Sequence, residues 1–319
     1  MTTKTATKPA PAVSTYIARK YHDKTDVDIL CDAIRNKQNC LLLGPRGTGK
    51  SSLAADVALR LNQQYCYIPC HTGATSEALI GQWIPNPSGV GYVWMDGILT
   101  RAARNGHVCL LDEINSLKPE VSFAIHGLLD HRRELVLAEK PGPDGEPEVV
   151  VAHEKFGLIA AGNPFYEGVR VMNEAFRDRF AIQLQLGYHQ ELDIAVLRNN
   201  SSVDKLDPRD AVALEQFVGK VRAAVKNKAV HSDVSTRAFL DLAKNMAVHT
   251  FQTARTMFLT RFSDDEAEIT ALRSCFNDIW TAEGKPLSVS DSQAEAVKKG
   301  RAGRFASQGN GGDLGKQVF

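Results

Sequence analysis

Apolar residues in the first half of the chain fall into short unbroken runs, and the stretches between them carry helical spacing. Residues 26–37 set Val27, Leu30, Cys31 and Ile34 on one side of a helix. The run that follows, Asn39-Cys-Leu-Leu-Leu-Gly44, reads as a buried strand ending in glycine. Further helices are predicted over 50–62, 96–104 and 119–129, with strands over 65–69, 107–111, 156–161 and 180–186. Strands alternating with helices predict a mostly parallel sheet covered on both faces.

Residues 134–155 break this rhythm. Leu135-Val-Leu-Ala and Val149-Val-Val-Ala flank the turn-rich segment Pro141-Gly-Pro-Asp-Gly145, a β-hairpin signal with a long tip. From about Tyr188 onward the spacing is helical over 189–199, 208–227, 235–248 and 264–281. The expected organisation is an N-terminus over 1–14 too polar and proline-rich to order, an α/β unit over 15–188, a smaller helical unit over 189–285, and a flexible tail over 286–319.

Composition narrows the class only slightly. Lys plus Arg number 38 and Asp plus Glu 37, a formal net charge of +1, so there is no global pull toward nucleic acid or a membrane surface. No apolar run approaches the length of a membrane span, and the first residues lack the apolar centre of a secretory signal, so a cytoplasmic protein is expected. The six cysteines show neither C-x-x-C pairing nor zinc spacing and read as small hydrophobes in a reducing compartment.

Candidate chemistry lies at the ends of the predicted strands. Gly44-Pro-Arg-Gly-Thr-Gly-Lys50-Ser51 fits the phosphate-loop pattern G-x-x-x-x-G-K-[ST], between a buried strand and a helix. Glycines let backbone N–H groups curl around phosphates, and the helix directs its positive N-terminal end at the same anion. The candidate phosphate-binding residues are Gly44, Pro45, Arg46, Gly47, Thr48, Gly49, Lys50, Ser51 and Ser52. Lys50 would reach the β- and γ-phosphates of ATP and Ser51 would ligate Mg²⁺. A second strand ends in Asp112-Glu113: Asp112 is the candidate metal partner, and Glu113 the candidate base for an attacking water. A third ends in Gly162-Asn163-Pro164, where Asn163 could orient that water or touch the γ-phosphate.

Over residues 27–250 these segments together resemble the MoxR-type AAA+ ATPases, including their CbbQ/NorQ-like and CobS-like branches. The resemblance rests on the Walker A run Gly44–Ser51, the Walker B run Asp112-Glu-Ile-Asn115, the segments Ser76–Gly81 and Tyr92–Gly97 that look like a helix-2 insertion, the hairpin before the sensor 1 segment, and Glu174-Ala-Phe-Arg-Asp-Arg-Phe180. It implies a P-loop three-layer sandwich with a parallel five-stranded sheet and a small helical lid. By the same match Asn163 is sensor 1 and Arg179 the arginine finger reaching a neighbouring subunit's ATP, with Arg177 the second candidate. Ser235-Thr-Arg-Ala238 resembles the Ser-Pro-Arg-Ala start of the lid helix and makes Arg237 sensor 2, although Thr236 replaces the family's proline. Arg46 occupies a loop position often held by a small or apolar residue and is read as facing solvent, as are Lys298, Lys299, Arg301 and Arg304 of the tail.

The resemblance implies an ATPase working as a homo-oligomer, most often a six-membered ring, with a von Willebrand factor A domain protein and a client enzyme as partners. Its output would be remodelling or maturation of that client; metal insertion of the CobS type is a variant. A nucleic-acid-dependent motor or restriction-type NTPase is the competing class, disfavoured by the near-neutral charge. An ATP-binding scaffold with weak hydrolysis is the third, and the intact Glu113 argues against it. Trp83, Tyr92 and Trp94 of the insertion either pack within it or grip a client.

Overall fold

Burial of the apolar runs organises a computed structural model that describes residues 16–163, 172–262 and 265–309, with side chains described through residue 301. The expectation of an unordered stretch at 1–14, Pro164 of the sensor 1 segment and the glycine-rich residues beyond 309 lie outside the described residues. The chain divides into two compact units, residues 1–187 and 188–319.

The first unit opens with a ribbon of β1 (Lys20–Tyr21) and β2 (Lys24–Thr25), then α1 (Asp26–Arg35). Thr25 caps α1 reciprocally with Asp28, which sets where the helix begins. There follow β3 (Cys40–Leu43), α2 (Lys50–Arg60), β4 (Tyr65–Pro69), α3 (Ser76–Leu79), β5 (Gly81–Pro85), β6 (Tyr92–Asp96), α4 (Ile98–Asn105) and β7 (Val108–Asp112). Past a 3-10 turn at Ile114–Ser116 come α5 (Pro119–Ala124), α6 (His126–Leu129), β8 (Glu134–Pro141), β9 (Pro147–Val151), β10 (Gly157–Gly162), α7 (Glu174–Arg177) and β11 (Ile182–Gln185).

Five of these strands form one sheet in the order β11-β3-β10-β7-β4, and every pair within it is parallel. Such strands must bury both faces, which is why they read as continuous apolar runs. One face packs Leu41, Cys109, Leu111 and Leu158 against α4, α5 and α6; the other packs Leu42, Leu110 and Ile159 against α1 and α2. The expected P-loop α/β sandwich is therefore present. The helix expected over 119–129 is two helices, because Ile125 leaves the helical conformation; beyond it, Gly127 brings the backbone so close to β8 that an added Cβ would meet the Glu134 carbonyl at 2.7 Å.

Two hairpins stand apart from the sheet, β5 with β6 and β8 with β9. They are tied together. Trp83 Nε1 donates to the Glu139 carbonyl at 2.9 Å, and Arg104 bonds both Asp96 and Glu148. Trp83 and Trp94 meet edge to face at 5.7 Å; Trp94 is half-buried, whereas Trp83 and Tyr92 are exposed. Lys140 of β8 also bonds Glu148 of β9 at 2.6 Å.

The second unit comprises α8 (Gln190–Arg198), α9 (Ser201–Asp204), α10 (Pro208–Lys226), α11 (Thr236–Val248), α12 (Phe251–Leu259), α13 (Glu266–Asn277) and α14 (Asp291–Gly309). Its core is an aromatic cluster in which the tilted rings of Phe217 and Phe276 lie 4.2 Å apart, with Phe239, Phe258 and Trp280 around Phe217. The expectation of a flexible tail from 286 is corrected. Residues 291–309 form α14, which buries Ala294, packs Val297 on the core and donates from Arg301 to the carbonyls of Val203 and Leu206, both at 2.8 Å. Arg301 is thus a structural anchor and not a solvated residue. No helix among the described residues is long and apolar enough to cross a membrane.

Candidate functional site

The loop from β3 to α2 can exist only because of its first glycine. The Gly44 N–H donates to the Gly162 carbonyl, and a Cβ at Gly44 would lie 2.1 Å from the Leu186 carbonyl oxygen. Glycine alone lets the chain pass between the ends of β10 and β11. At the other end Gly49, at φ 87°, turns the chain into α2 through the left-handed region that glycine enters without strain. Between them the Thr48 hydroxyl donates to the Pro45 carbonyl at 3.0 Å, closing the loop on itself.

Lys50, the first residue of α2, donates to the carbonyls of Gly44 at 2.8 Å and Pro45 at 2.9 Å. Burial pushes its pKa below 10.5, while the charges of Asp112 and Glu113 act the other way. Its ammonium therefore sits in the cradle within electrostatic reach of both carboxylates. Ser51 donates to Asp112 Oδ2 at 3.0 Å, joining the end of β7 to the start of α2. Among the described residues no group of three or more His, Cys, Asp or Glu side chains could hold a metal. The Ser51–Asp112 pair instead fits a Mg²⁺ whose remaining ligands are phosphate oxygens and water, the usual way this ion is held.

Glu113 leaves the strand at φ 56° and ψ 43°, a conformation uncommon for a residue with a side chain. Two positions on, Asn115 is 9% exposed and packs against Gly162, where an added Cβ would meet Asn115 Oδ1 at 2.1 Å. Asn115 was read only as part of the family run; in the fold it locks the turn after β7 to the end of β10. Tyr67 and Cys70 flank Asp112 on the β4 side. Burial, then the Asp112 charge, raises both pKa values, Cys70 to about 12. That thiol is inert at neutral pH.

Asn163 follows directly on β10, one residue beyond the pair Gly162–Leu43, and so stands beside the start of the phosphate loop. The sheet brings together Gly44–Ser52, Asp112, Glu113 and Asn163 at the C-terminal ends of β3, β7 and β10. The arginines of 174–180 are placed differently. Arg179 is half-buried, its guanidinium donating back to the Ala175 carbonyl, and its charge lowers the His126 pKa after burial has done so. Arg177 is exposed and donates to Gln183 Oε1 at 3.0 Å. Arg46 is exposed on the loop.

Arg237 belongs to the second unit, exposed in the first turn of α11 with Ser235 as the N-cap. The substitution at Thr236 has a purpose there. Its hydroxyl donates at 2.5 Å to Asp193, whose carboxylate is fully buried and pairs with Arg222 Nε at 2.7 Å. Arg222 also donates to the Val234 carbonyl and lies over the rings of Tyr188 and Phe239. A proline at 236 would lose the hydroxyl bond; this unit fixes the start of α11 through a buried ion pair.

Sequence reasoning missed a brace on the phosphate loop. Arg19 Nη2 donates to the Thr48 carbonyl at 2.5 Å and Nη1 to the Tyr16 hydroxyl at 2.6 Å, while Asp26 accepts from Tyr16 at 2.5 Å and from the Arg19 N–H at 3.0 Å. Asp26 is completely buried, and burial raises its pKa against those hydrogen bonds. In sequence it was one more acidic residue in the first turn of a helix.

The AAA domain family, dynein-related subfamily, matches residues 39–180. The protein NorQ of Paracoccus denitrificans is 31% identical over 215 residues, covering 66% of this chain and 74% of that one. An uncharacterised protein of Staphylococcus haemolyticus is 30% identical over 244 residues, covering 74% of this chain and 89% of that one. A crystal structure of a candidate ATPase from Cytophaga hutchinsonii covers 86% of this chain and 87% of its own at 17% identity, with a TM-score of 0.40.

Proposed function

The chain belongs to the MoxR-type AAA+ ATPases, and from that membership we propose that it hydrolyses ATP in a homo-oligomeric ring and uses the resulting motion to remodel or mature a client enzyme. One observation carries the catalytic part of this reading. Lys50, the Ser51–Asp112 pair and Glu113 converge where three adjacent parallel strands end, with Asn163 at the last of them. In sheets of this kind that edge is where ligands bind.

The roles follow from the chemistry of each group. Backbone N–H groups of Gly47, Thr48 and Gly49 and the N-terminus of α2 face the phosphates, and Lys50 exchanges its loop carbonyls for phosphate oxygens. Ser51 and Asp112 hold Mg²⁺, which when bound offsets charge on the transferring phosphoryl group. Glu113 accepts a proton from the attacking water and Asn163 orients it. Arg179 is assigned the finger role in a neighbouring subunit, for which it must release the Ala175 carbonyl; Arg177 is next in line. Arg237 is assigned the nucleotide-sensing role of the helical unit. The family resemblance supports a six-membered ring, a von Willebrand factor A domain partner and a cytoplasmic location.

Glu113→Gln tests the reading. The amide keeps the shape and loses the base, so the variant is expected to bind ATP with Mg²⁺ at wild-type affinity and to hydrolyse it about 10²–10⁴-fold more slowly. Hydrolysis at the wild-type rate removes Glu113 from the mechanism, and absence of ATP binding by the wild-type chain refutes the whole proposal.

A further inference from the structure

We infer that Arg19 is a positioning residue for phosphate binding, holding the peptide between Thr48 and Gly49 in the orientation that presents the Gly49 N–H to the nucleotide. The inference rests on the nucleotide-binding reading above and adds a residue that lies outside the phosphate-loop motif. Its basis is the planarity of the peptide group. Carbonyl and N–H of a trans peptide point in opposite directions. The Thr48 carbonyl is drawn toward Arg19 Nη2 at 2.5 Å, so the Gly49 N–H is directed away from Arg19. Gly49 caps the N-terminus of α2 with no side chain of its own to make a hydrogen bond. Gly49 sits at φ 87°, and with no Cβ it has nearly symmetric access to both signs of φ, so the peptide before it is free to swing. Something outside the loop must therefore choose the orientation.

Arg19 is built for that choice and is itself held from several sides. Its side chain is 9% exposed and lies 3.6 Å from the Asp26 carboxylate. Its own N–H donates to Asp26 Oδ1, and its carbonyl accepts from the Asp26 N–H at 2.9 Å, so the start of α1 fixes its backbone as well. Tyr16 completes the arrangement. The hydroxyl bridges Arg19 and Asp26, and the ring edge lies 3.4 Å from where a Gly49 Cβ would be. Asp26 lies 3.6 Å from the guanidinium and offsets part of its charge, the rest of which is felt at Lys50; the hydrogen bond to the Thr48 carbonyl is what gives Arg19 its direction on the loop.

Three variants of the full-length chain test this: Arg19→Met, Arg19→Lys and Tyr16→Phe, each titrated with a fluorescent ADP analogue in Mg²⁺ and followed by ³¹P spectra of bound ADP at saturation. Arg19→Met is expected to weaken binding about tenfold and to move the β-phosphorus resonance toward that of free ADP. Arg19→Lys retains one donor for the Thr48 carbonyl and is expected to recover most of the affinity and the bound β-phosphorus shift. Tyr16→Phe keeps the ring and loses one hydroxyl, and carries the test if Arg19→Met does not fold, with a two- to fivefold loss expected. Affinity within twofold of wild type in both Arg19→Met and Tyr16→Phe overturns the brace while leaving the nucleotide reading intact. A β-phosphorus shift identical to wild type in the weakened variants also overturns it, because the loss would then come from general loosening. A wild-type chain that binds no ADP refutes the nucleotide reading itself, and the brace with it.

Discussion

Removing the Asp193 carboxylate should cost the helical unit more than any single apolar truncation of similar size. Asp193 is 1% exposed at its side chain and Arg222 10%, at 2.7 Å. Asp193→Ala leaves a guanidinium among the Tyr188 and Phe239 rings with only the Val234 carbonyl to receive it, and Arg222 Nη2 is already buried without a partner. Breaking a buried pair in this way costs about 3–5 kcal/mol. Thr236→Val removes one hydrogen bond to the same carboxylate, about 1.5–3 kcal/mol because the acceptor is charged. Asp193→Leu with Arg222→Met removes both charges and should return to within about 1 kcal/mol of the parent, since apolar replacements of a whole buried pair are often neutral. Urea unfolding followed by Trp280 fluorescence reads the helical unit alone once Trp83 and Trp94, the other two of the chain's three tryptophans, are changed to Phe in every protein compared. A loss below about 1 kcal/mol in Asp193→Ala, or a double variant no better than the sum of its singles, would refute the claim that the pair secures α11.

The site of the first unit gives two further expectations. Gly162→Ala forces a Cβ to 2.1 Å from Asn115 Oδ1; the displaced Asn115 shifts the turn that carries Glu113, and ATP turnover measured by phosphate release should fall on the order of tenfold or more while affinity changes little. Unchanged turnover would show that Asn115 yields without moving Glu113. The lowered pKa of Lys50 predicts proton uptake when phosphates bind, since their charge favours the ammonium form that burial disfavours. ATP affinity should therefore fall as pH rises through that lowered value toward 10.5, and calorimetry in two buffers of different ionisation enthalpy should show uptake there; equal enthalpies across the buffers would contradict it.

The strands of the sheet and their polar ends were legible in sequence because both leave local marks. A strand buried on two faces is a run of apolar residues, and a phosphate loop needs glycine, lysine and serine at set spacing. Polar contacts between distant positions leave no such mark. Thr236 and Asp193 are 43 residues apart, Arg19 and Thr48 29 apart, and Trp83 and Glu139 56 apart. Nothing in the periodicity of either partner announces the other. The tail was misread for a related reason. Sparse apolar residues suggested no structure, yet α14 is held by one buried alanine, one valine and an arginine that donates to the carbonyls of Val203 in α9 and Leu206 just after it. Helix α12, with Thr250 as its cap, was passed over because only Ala254, Phe258 and Leu259 of it are buried, too few to show a period.

The conformation of Glu113 connects the fold to the proposed chemistry. Adjacent residues in a strand point to opposite faces, so a strand continuing past Asp112 would send two neighbouring carboxylates apart. The chain turns instead at Glu113 through the left-handed region, which costs of order 1–2 kcal/mol for a residue with a Cβ. After the turn both carboxylates act on the Lys50 ammonium. The turn is held by its own hydrogen bonds, Ser116 N–H to the Glu113 carbonyl at 2.8 Å and Leu117 N–H to that of Ile114 at 3.2 Å, and by Asn115 seated on Gly162. Gly162 belongs to the strand that delivers Asn163, and its carbonyl accepts from the Gly44 N–H that begins the phosphate loop. One glycine thus touches all three strand ends. Under the proposed function, a shift of the phosphate loop at Gly44 would reach the turn of Glu113 through Gly162, so the placement of the proposed base depends on this one residue.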